Sequence, residues 1–428
     1  MSITAQQIRD ALNDPPTLEA LYRRDPTAFR RAFAEAAAAA PDSPVIRVWE
    51  ARLRWDEVPA EPGAAPSGTA RDRDPGRRRL WGALGLGLLA GTLIRIPTIW
   101  ISEDWYYPRY LPTLVLLALA GYFWLERRSR EHALTGGVLA VVVAVYALLL
   151  PGGPDYTDSV VLALLYLPVL VWALLGIVFA GPRWRDDDAR IDFVRYNGEL
   201  LILASLVGLS FFVFSGITVN LFALIFEDPA EWYAENIGIF GAAAVPLIAT
   251  YLYDVVFGRR TAIASVLVRI FVPLFLAMTV VYLAVALLGD RNPFLDRSFL
   301  LGFNLLLLVV LGMTVFSIAQ RERAAGVSWI DYATMGLLVV TFVIDLIALS
   351  AIVFRLSSYG FTPNRVVVLG TNLVVLAHLV WIFREYLGVL RGQAEVGVLR
   401  RPVAGYLPVY VGWAALVAFV LPLVFRYA

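Results

Sequence analysis

Asp345 stands in the string VVTFVIDLIALSAIV, residues 339–353, with no neighbour on its own helix able to neutralise it. A carboxyl group in so apolar a segment is expensive unless it is paired, hydrated or used to carry a proton or a cation. Five other ionisable residues fall inside apolar segments: Arg95, Glu199, Asp254, Arg269 and His378. At 1.5 Å per helical residue, Arg95 and Asp345 both lie about 22 Å from the cytoplasmic ends of their spans. That depth predicts a pair near the outer face. The other four lie within about 12 Å of the cytoplasmic side and predict a second polar cluster. The competing expectation is that these groups only satisfy one another, or snorkel to the headgroups.

A second candidate is the string running from Arg355 through Tyr359, Gly360, Thr362, Pro363 and Asn364 to Arg365. Gly360 suits a turn, Thr362 an N-cap and Pro363 a first helical position. A helix amino terminus flanked by Arg355 and Arg365 is a ready site for a lipid phosphate or another anion. Asn220, Asn304 and Asn372 lie within spans and are expected to hydrogen-bond between helices. Pro168, Pro246 and Pro273 interrupt spans and would kink or break them. The run holding Asp186, Asp187, Asp188 and Asp192 could bind a divalent cation, though a solvated loop explains it more simply.

Other chemistries are excluded by composition. The 428 residues include no cysteine and two histidines, His132 and His378, so thiolate catalysis and a multi-His metal site are out of reach. No phosphate loop, nucleophile elbow, HExxH or dinucleotide fingerprint appears, and no cofactor is expected. A net charge of +1 gives no reason to expect a nucleic-acid partner. All 36 basic residues are arginine, which reads as the mark of a GC-rich bacterial genome.

The elements that must position these residues are membrane helices. Hydrophobic residues make up 59% of the chain and charged ones 17%, too little polar surface for a soluble protein of this length. Apolar blocks fall near 80–100, 110–125, 133–150, 159–180, 198–226, 237–257, 261–289, 299–319, 330–353, 366–383 and 406–425. Each is long enough to cross about 30 Å of hydrocarbon as a helix. The expectation is an all-α polytopic transmembrane bundle of about eleven spans, with a range of about ten to twelve. The first 20 residues lack the basic start and apolar core of a signal peptide.

Residues 1–55 predict a small cytoplasmic domain of four short helices. Its core would draw on Ile8, Leu12, Leu18, Leu21, Phe29, Phe33, Val45, Val48, Trp49 and Leu53. Residues 56–79 read as a flexible linker rich in Pro, Gly and Ala, and 80–428 as the transmembrane domain. Arginines near the span ends are roughly threefold more frequent on the side shared with residues 1–55. That places the amino terminus inside and, for an odd number of spans, the carboxyl terminus outside. Trp100, Trp105, Tyr106, Tyr107, Trp232 and Tyr233 fall where an outer aromatic belt belongs.

The segment IVFRLSSYGFTPNRVVVLGTNLVVLAHLVWIF, residues 352–383, resembles the bacterial membrane family called domain of unknown function 4153. GELLILASLVGLSFFVFSGITVNLF, residues 198–222, looks like an earlier block of the same family. The resemblance covers about residues 190–390 and implies a bacterial inner-membrane protein without implying a mechanism.

Three functional expectations follow. The first is a non-enzymatic transporter or sensor of a small solute or lipid, using Asp345, Arg95 and Arg269 in the bundle with Arg355 and Arg365 at its outer mouth. The second is a membrane-embedded enzyme acting on lipid-linked or envelope substrates. The third is a structural or regulatory subunit. Membrane lipids are the expected partners, with residues 1–55 as a docking element for a protein.

Overall fold

The computed structural model describes residues 3–12, 14–39, 43–56, 75–127, 130–152, 156–259, 263–288, 297–321 and 326–427. They form two units, Met1–Asp72 and Arg73–Ala428. Among the described residues there is no strand. Most of the expected linker, residues 57–74, lies outside them; its last five residues already belong to a helix.

The first unit contains α1 (Ala5–Asp10), α2 (Pro15–Arg24), α3 (Pro26–Ala39) and α4 (Pro44–Asp56). Local chemistry starts each of the first three. Thr4 and Gln7 close a capping box on α1, and Asp14 accepts from the Thr17 amide ahead of α2. Asp25 accepts from the amides of Thr27 and Ala28 at the head of α3. Ile8, Leu18, Phe29, Phe33, Ala36, Ile46, Trp49 and Leu53 are buried together. Val48, expected in this core, is 67% exposed. Ile46 takes its place, because the inward face of α4 runs through 46, 49 and 53 at helical spacing.

The second unit is an all-α polytopic membrane bundle. Its helices are α5 (Pro75–Arg95), α6 (Glu103–Arg127), α7 (Arg130–Leu149), α8 (Asp158–Ala180) and α9 (Asp187–Phe222). They continue with α10 (Pro229–Tyr233), α11 (Ile239–Tyr251), α12 (Ile263–Leu288), α13 (Arg297–Ala319) and α14 (Trp329–Tyr359). The last are α15 (Pro363–Leu390), α16 (Arg400–Ala415) and α17 (Leu421–Val424). Single π-turns join α10 to α11, extend α11 over Leu252–Val256 and join α16 to α17.

Among the described residues, nine helical stretches are long and apolar enough to cross a membrane. Helices α6 and α7 are outside that set, yet α6 runs antiparallel along the whole of α5. Arg79 of α5 pairs with Glu126 of α6 at one end, and the Tyr106 hydroxyl of α6 donates to the Leu93 carbonyl at the other. Leaving the α6–α7 pair in or out changes the span count by two, so the count stays odd either way.

The two largest apolar cores of the bundle lie in different sets of helices. One is built on α5, α6, α8, α9 and α11; the other on α12–α15 with contributions from α9 and α16. In the first, Gly87 and Gly91 form a small-xxx-small face where α5 meets α11. A Cβ on Gly87 would stand 2.9 Å from the Ala244 Cβ and 3.0 Å from its Cα. Helices α8, α11 and α12 run unbroken through Pro168, Pro246 and Pro273, so these prolines do not split their spans. Asn304 and Asn372 hydrogen-bond between α13 and α15 at 2.8 Å, as expected. Asn220 instead donates to the Gly216 carbonyl of its own helix.

Candidate functional site

The intramembrane charges do not form the two clusters expected of them. Arg95 donates to Glu235 at 2.7 Å and to Thr98. The helix carrying it packs on α6 and α11, whereas the helix carrying Asp345 packs on α12, α13 and α15. Arg95 and Asp345 therefore belong to different halves of the bundle and do not pair. Asp254 accepts from Arg79 at 2.9 Å, from Arg259 at 2.5 Å and from the Tyr122 hydroxyl at 3.3 Å. Arg79 and Arg259 also bind Glu126, closing a network of two cations and two carboxylates.

These two ionic sites share helices α5 and α11. They are about 24 Å apart along α5 and about 28 Å along the chain between Asp254 and Glu235, close to the hydrocarbon thickness. Both therefore stand at membrane boundaries, where part-hydrated ion pairs cost least. Helix length alone could not show this, because the partners of Arg95 and Asp254 come from other spans.

The rest of the expected inner cluster is dispersed. Glu199 is fully buried and accepts from the Gln320 side chain at 3.3 Å. His378 stacks on Tyr406 at 4.4 Å between ring centroids, with its Nδ1 2.8 Å from the Tyr410 hydroxyl. Arg269 lies exposed on α12. Glu199 is held between α9 and the residue that follows α13, and His378 between α15 and α16, so neither joins Asp254.

The turn after α14 has the expected local form. Gly360 takes φ +80°, a backbone conformation that favours glycine, and Thr362 caps α15 by accepting from the Arg365 amide. Arg365 spends one guanidinium nitrogen on the carbonyls of Tyr359 and Gly360, both at 2.8 Å. Tyr359 is exposed, while Arg355 and Asn364 are half-buried. Arg365 thus closes the C-terminus of α14 with one of its guanidinium nitrogens.

The aspartates at 186–192 form a helix start. Asp186 caps α9, Asp192 pairs with Arg195 at 3.6 Å and Asp188 faces Arg400 at 3.7 Å. Among the described residues no group of acidic or histidine side chains has a metal-binding arrangement.

Several partners escaped sequence reasoning: Arg79, Glu126, Glu235, Arg259 and the Arg321–Asp331 ion pair. Arg109 is the largest omission. Its buried guanidinium donates to the Ala147 and Leu150 carbonyls and to the Tyr156 hydroxyl, capping the C-terminus of α7. The available signal was position: these residues sit at span ends, where ion pairs between neighbouring helices are cheap.

Asp345 remains. It is 3% exposed, and its Oδ2 has no hydrogen-bond partner in the protein. It lies about 24 Å from Trp329 and about 21 Å from Tyr359 along α14, in the middle of the helix rather than near one face. Asp331, Thr334, Thr341 and Asp345 share one buried face of this helix. The two threonine hydroxyls donate back to carbonyls of their own helix at 2.8 and 2.7 Å, so they are not committed to Asp345. Asp254 and Asp331, the other deeply buried aspartates, meet donors on both oxygens, and Glu199 accepts from Gln320 through its Oε1 alone. Further buried polar atoms in the same half make no hydrogen bond, among them the Thr314 Oγ1, the His378 Nε2 and the Tyr386 hydroxyl. The Tyr386 hydroxyl stands beside Asp331, Arg321 and Thr334. Asp331, Thr334, Thr341 and Asp345, with Tyr386 beside the first two, make a discontinuous polar file from the Arg321–Asp331 end of α14 to its middle.

No family model, curated protein or solved structure matches this chain.

Proposed function

We propose that this protein is a proton-responsive membrane transporter of a small solute, with Asp345 as the group that gains and loses the proton. One observation carries the reading: a mid-span carboxyl, nearly fully buried, with an oxygen that no protein donor meets. A bare carboxylate there would cost far more than a neutral acid, so the group needs a proton or a small cation. Its helix packs on three others, and a change of charge at Asp345 acts directly on those contacts. Arg95 and Arg269 drop out of the proposed site, the first because Glu235 holds it and the second because it lies exposed.

The reading also takes the chain as a bacterial inner-membrane protein with the Arg79–Arg259 network on the cytoplasmic side. The roughly threefold arginine bias supports that orientation. The resemblance to domain of unknown function 4153 belongs to this proposal. The residues that carry it, 352–383, fold as the end of α14, the capped turn and most of α15.

A hydrophobic carbodiimide, which reacts with protonated carboxyl groups in apolar surroundings, is expected to modify Asp345 in the reconstituted protein. Peptide mass spectrometry reads the modification. Asp345→Asn is expected to abolish proton movement in vesicles loaded with a pH-sensitive dye while leaving thermal unfolding unchanged. An unmodified Asp345, or undiminished proton movement in the variant, overturns the assignment.

A further inference from the structure

The hairpin between α9 and α10 has features that neither bundle packing nor the Asp345 site uses. The Tyr233 hydroxyl donates to the Ser215 Oγ at 3.1 Å, and two residues later Glu235 forms the ion pair with Arg95. Residues 216–232 therefore project beyond that pair. Helix α9 alone continues about 10 Å past Ser215. This tip encloses a cavity of about 460 Å³ walled by Phe222, Phe226, Trp232 and Tyr233, with Glu227 and Asp228 at its turn. Its size falls within the usual range of about 300–1,000 Å³ for small-molecule sites.

The charge at this tip has one sign. Glu227, Asp228 and Glu231 are all exposed, and residues 196–258 contain no arginine, lysine or histidine. Arg95, which meets this segment at Glu235, is bound there in an ion pair. A phosphate or sulfate head would meet three carboxylates with nothing to offset them. An ammonium head meets the opposite situation: carboxylates at the rim and aromatic faces beside it, with Trp232 61% exposed. Aromatic faces attract cations through their quadrupole, and the apolar walls take the hydrocarbon part.

We propose that the α9–α10 hairpin is a binding site on the Glu235 side of the membrane for a lipophilic organic ammonium compound. The aromatic walls of the cavity hold its apolar body, and Glu227, Asp228 and Glu231 hold its charge. The inference is independent of the role given to Asp345.

Calorimetric titration of the full chain in a neutral maltoside detergent tests it, with decyltrimethylammonium as the probe and decyl sulfate as the chain-matched anion. Saturable binding of one cation per chain is expected, with decyl sulfate at least about tenfold weaker. The triple variant Glu227→Gln, Asp228→Asn, Glu231→Gln changes exposed side chains only and is expected to weaken the cation about tenfold, as is Trp232→Ala. Asp345→Asn is expected to leave this affinity unchanged. Equal binding of the anion, or cation binding undiminished in the triple variant, overturns the proposal and leaves only hydrophobic partition. Loss of the signal when phosphatidylethanolamine is added also overturns it, by assigning the cavity to the bilayer's own headgroups.

Discussion

Asp254 shows how a buried charge is made tolerable at a membrane boundary. Its side chain is 1% exposed, while the two guanidinium groups that bind it are about one-third exposed. The carboxylate therefore bears the desolvation and the arginines stay in contact with water. Removing it leaves two cations facing each other across Glu126. Asp254→Ala is expected to lower stability by about 3 kcal/mol, against about 1 kcal/mol for Arg259→Ala, which leaves Arg79 in place. Unfolding in mixed micelles by denaturant measures both. A reversed order would show that the network is not centred on Asp254.

Glu19 in the first unit offers a contrasting case in water. The hydrogen bonds from Arg52 and Arg23 hold its carboxyl below the ordinary carboxylate range. A lowered carboxyl contributes stability that is present at neutral pH and lost as pH falls through the lowered value. Wild type and Glu19→Gln are therefore expected to differ in protease resistance of residues 3–56 at neutral pH. The difference should vanish in acid below that value, as read by pulse proteolysis in urea with a protease suited to each pH.

Among the elements, the α5–α11 contact is the one most dependent on small residues. Lipid tails are as apolar as leucine, so helices in the membrane associate through close packing rather than through exclusion of water. Gly87→Ala places a methyl group against the backbone of Ala244 and is expected to cost about 1–3 kcal/mol. Gly85 lies on the same helix with nothing within 4 Å of an added Cβ. Gly85→Ala is expected to be neutral or to stabilise by up to about 1 kcal/mol through helix propensity. Thermal unfolding of the two variants side by side separates the contact from the propensity.

The whole molecule has a property that makes its topology directly testable: it contains no cysteine. A single introduced thiol reports its own side of the membrane. With the amino terminus inside, Glu231→Cys is expected to react with an impermeant maleimide in intact cells, and Asp187→Cys only after permeabilisation. The reverse pattern would invert the orientation. Odd parity also requires that Arg426→Cys label with Glu231→Cys, whether or not α6 and α7 both cross.

Hydrocarbon as solvent made most of the architecture readable from residue order alone. Backbone groups there must pair within their own segment, so each apolar block had to be a helix, and arginine had to collect at the ends. The capped turn at Gly360–Thr362–Pro363 was legible for a similar reason, since its chemistry lies within a few residues. Partner choice was not legible. Arg95 with Glu235 and Arg79 with Asp254 are separated by 140 and 175 positions, and helical periodicity places a side chain on a face without saying which helix meets it. Asp345 was conspicuous as a charge among apolar residues, but its isolation emerged only once α12, α13 and α15 enclosed it without bringing a donor to its second oxygen. Local chemistry and the solvent determine the helices and their ends; which charges meet is a property of packing between distant segments.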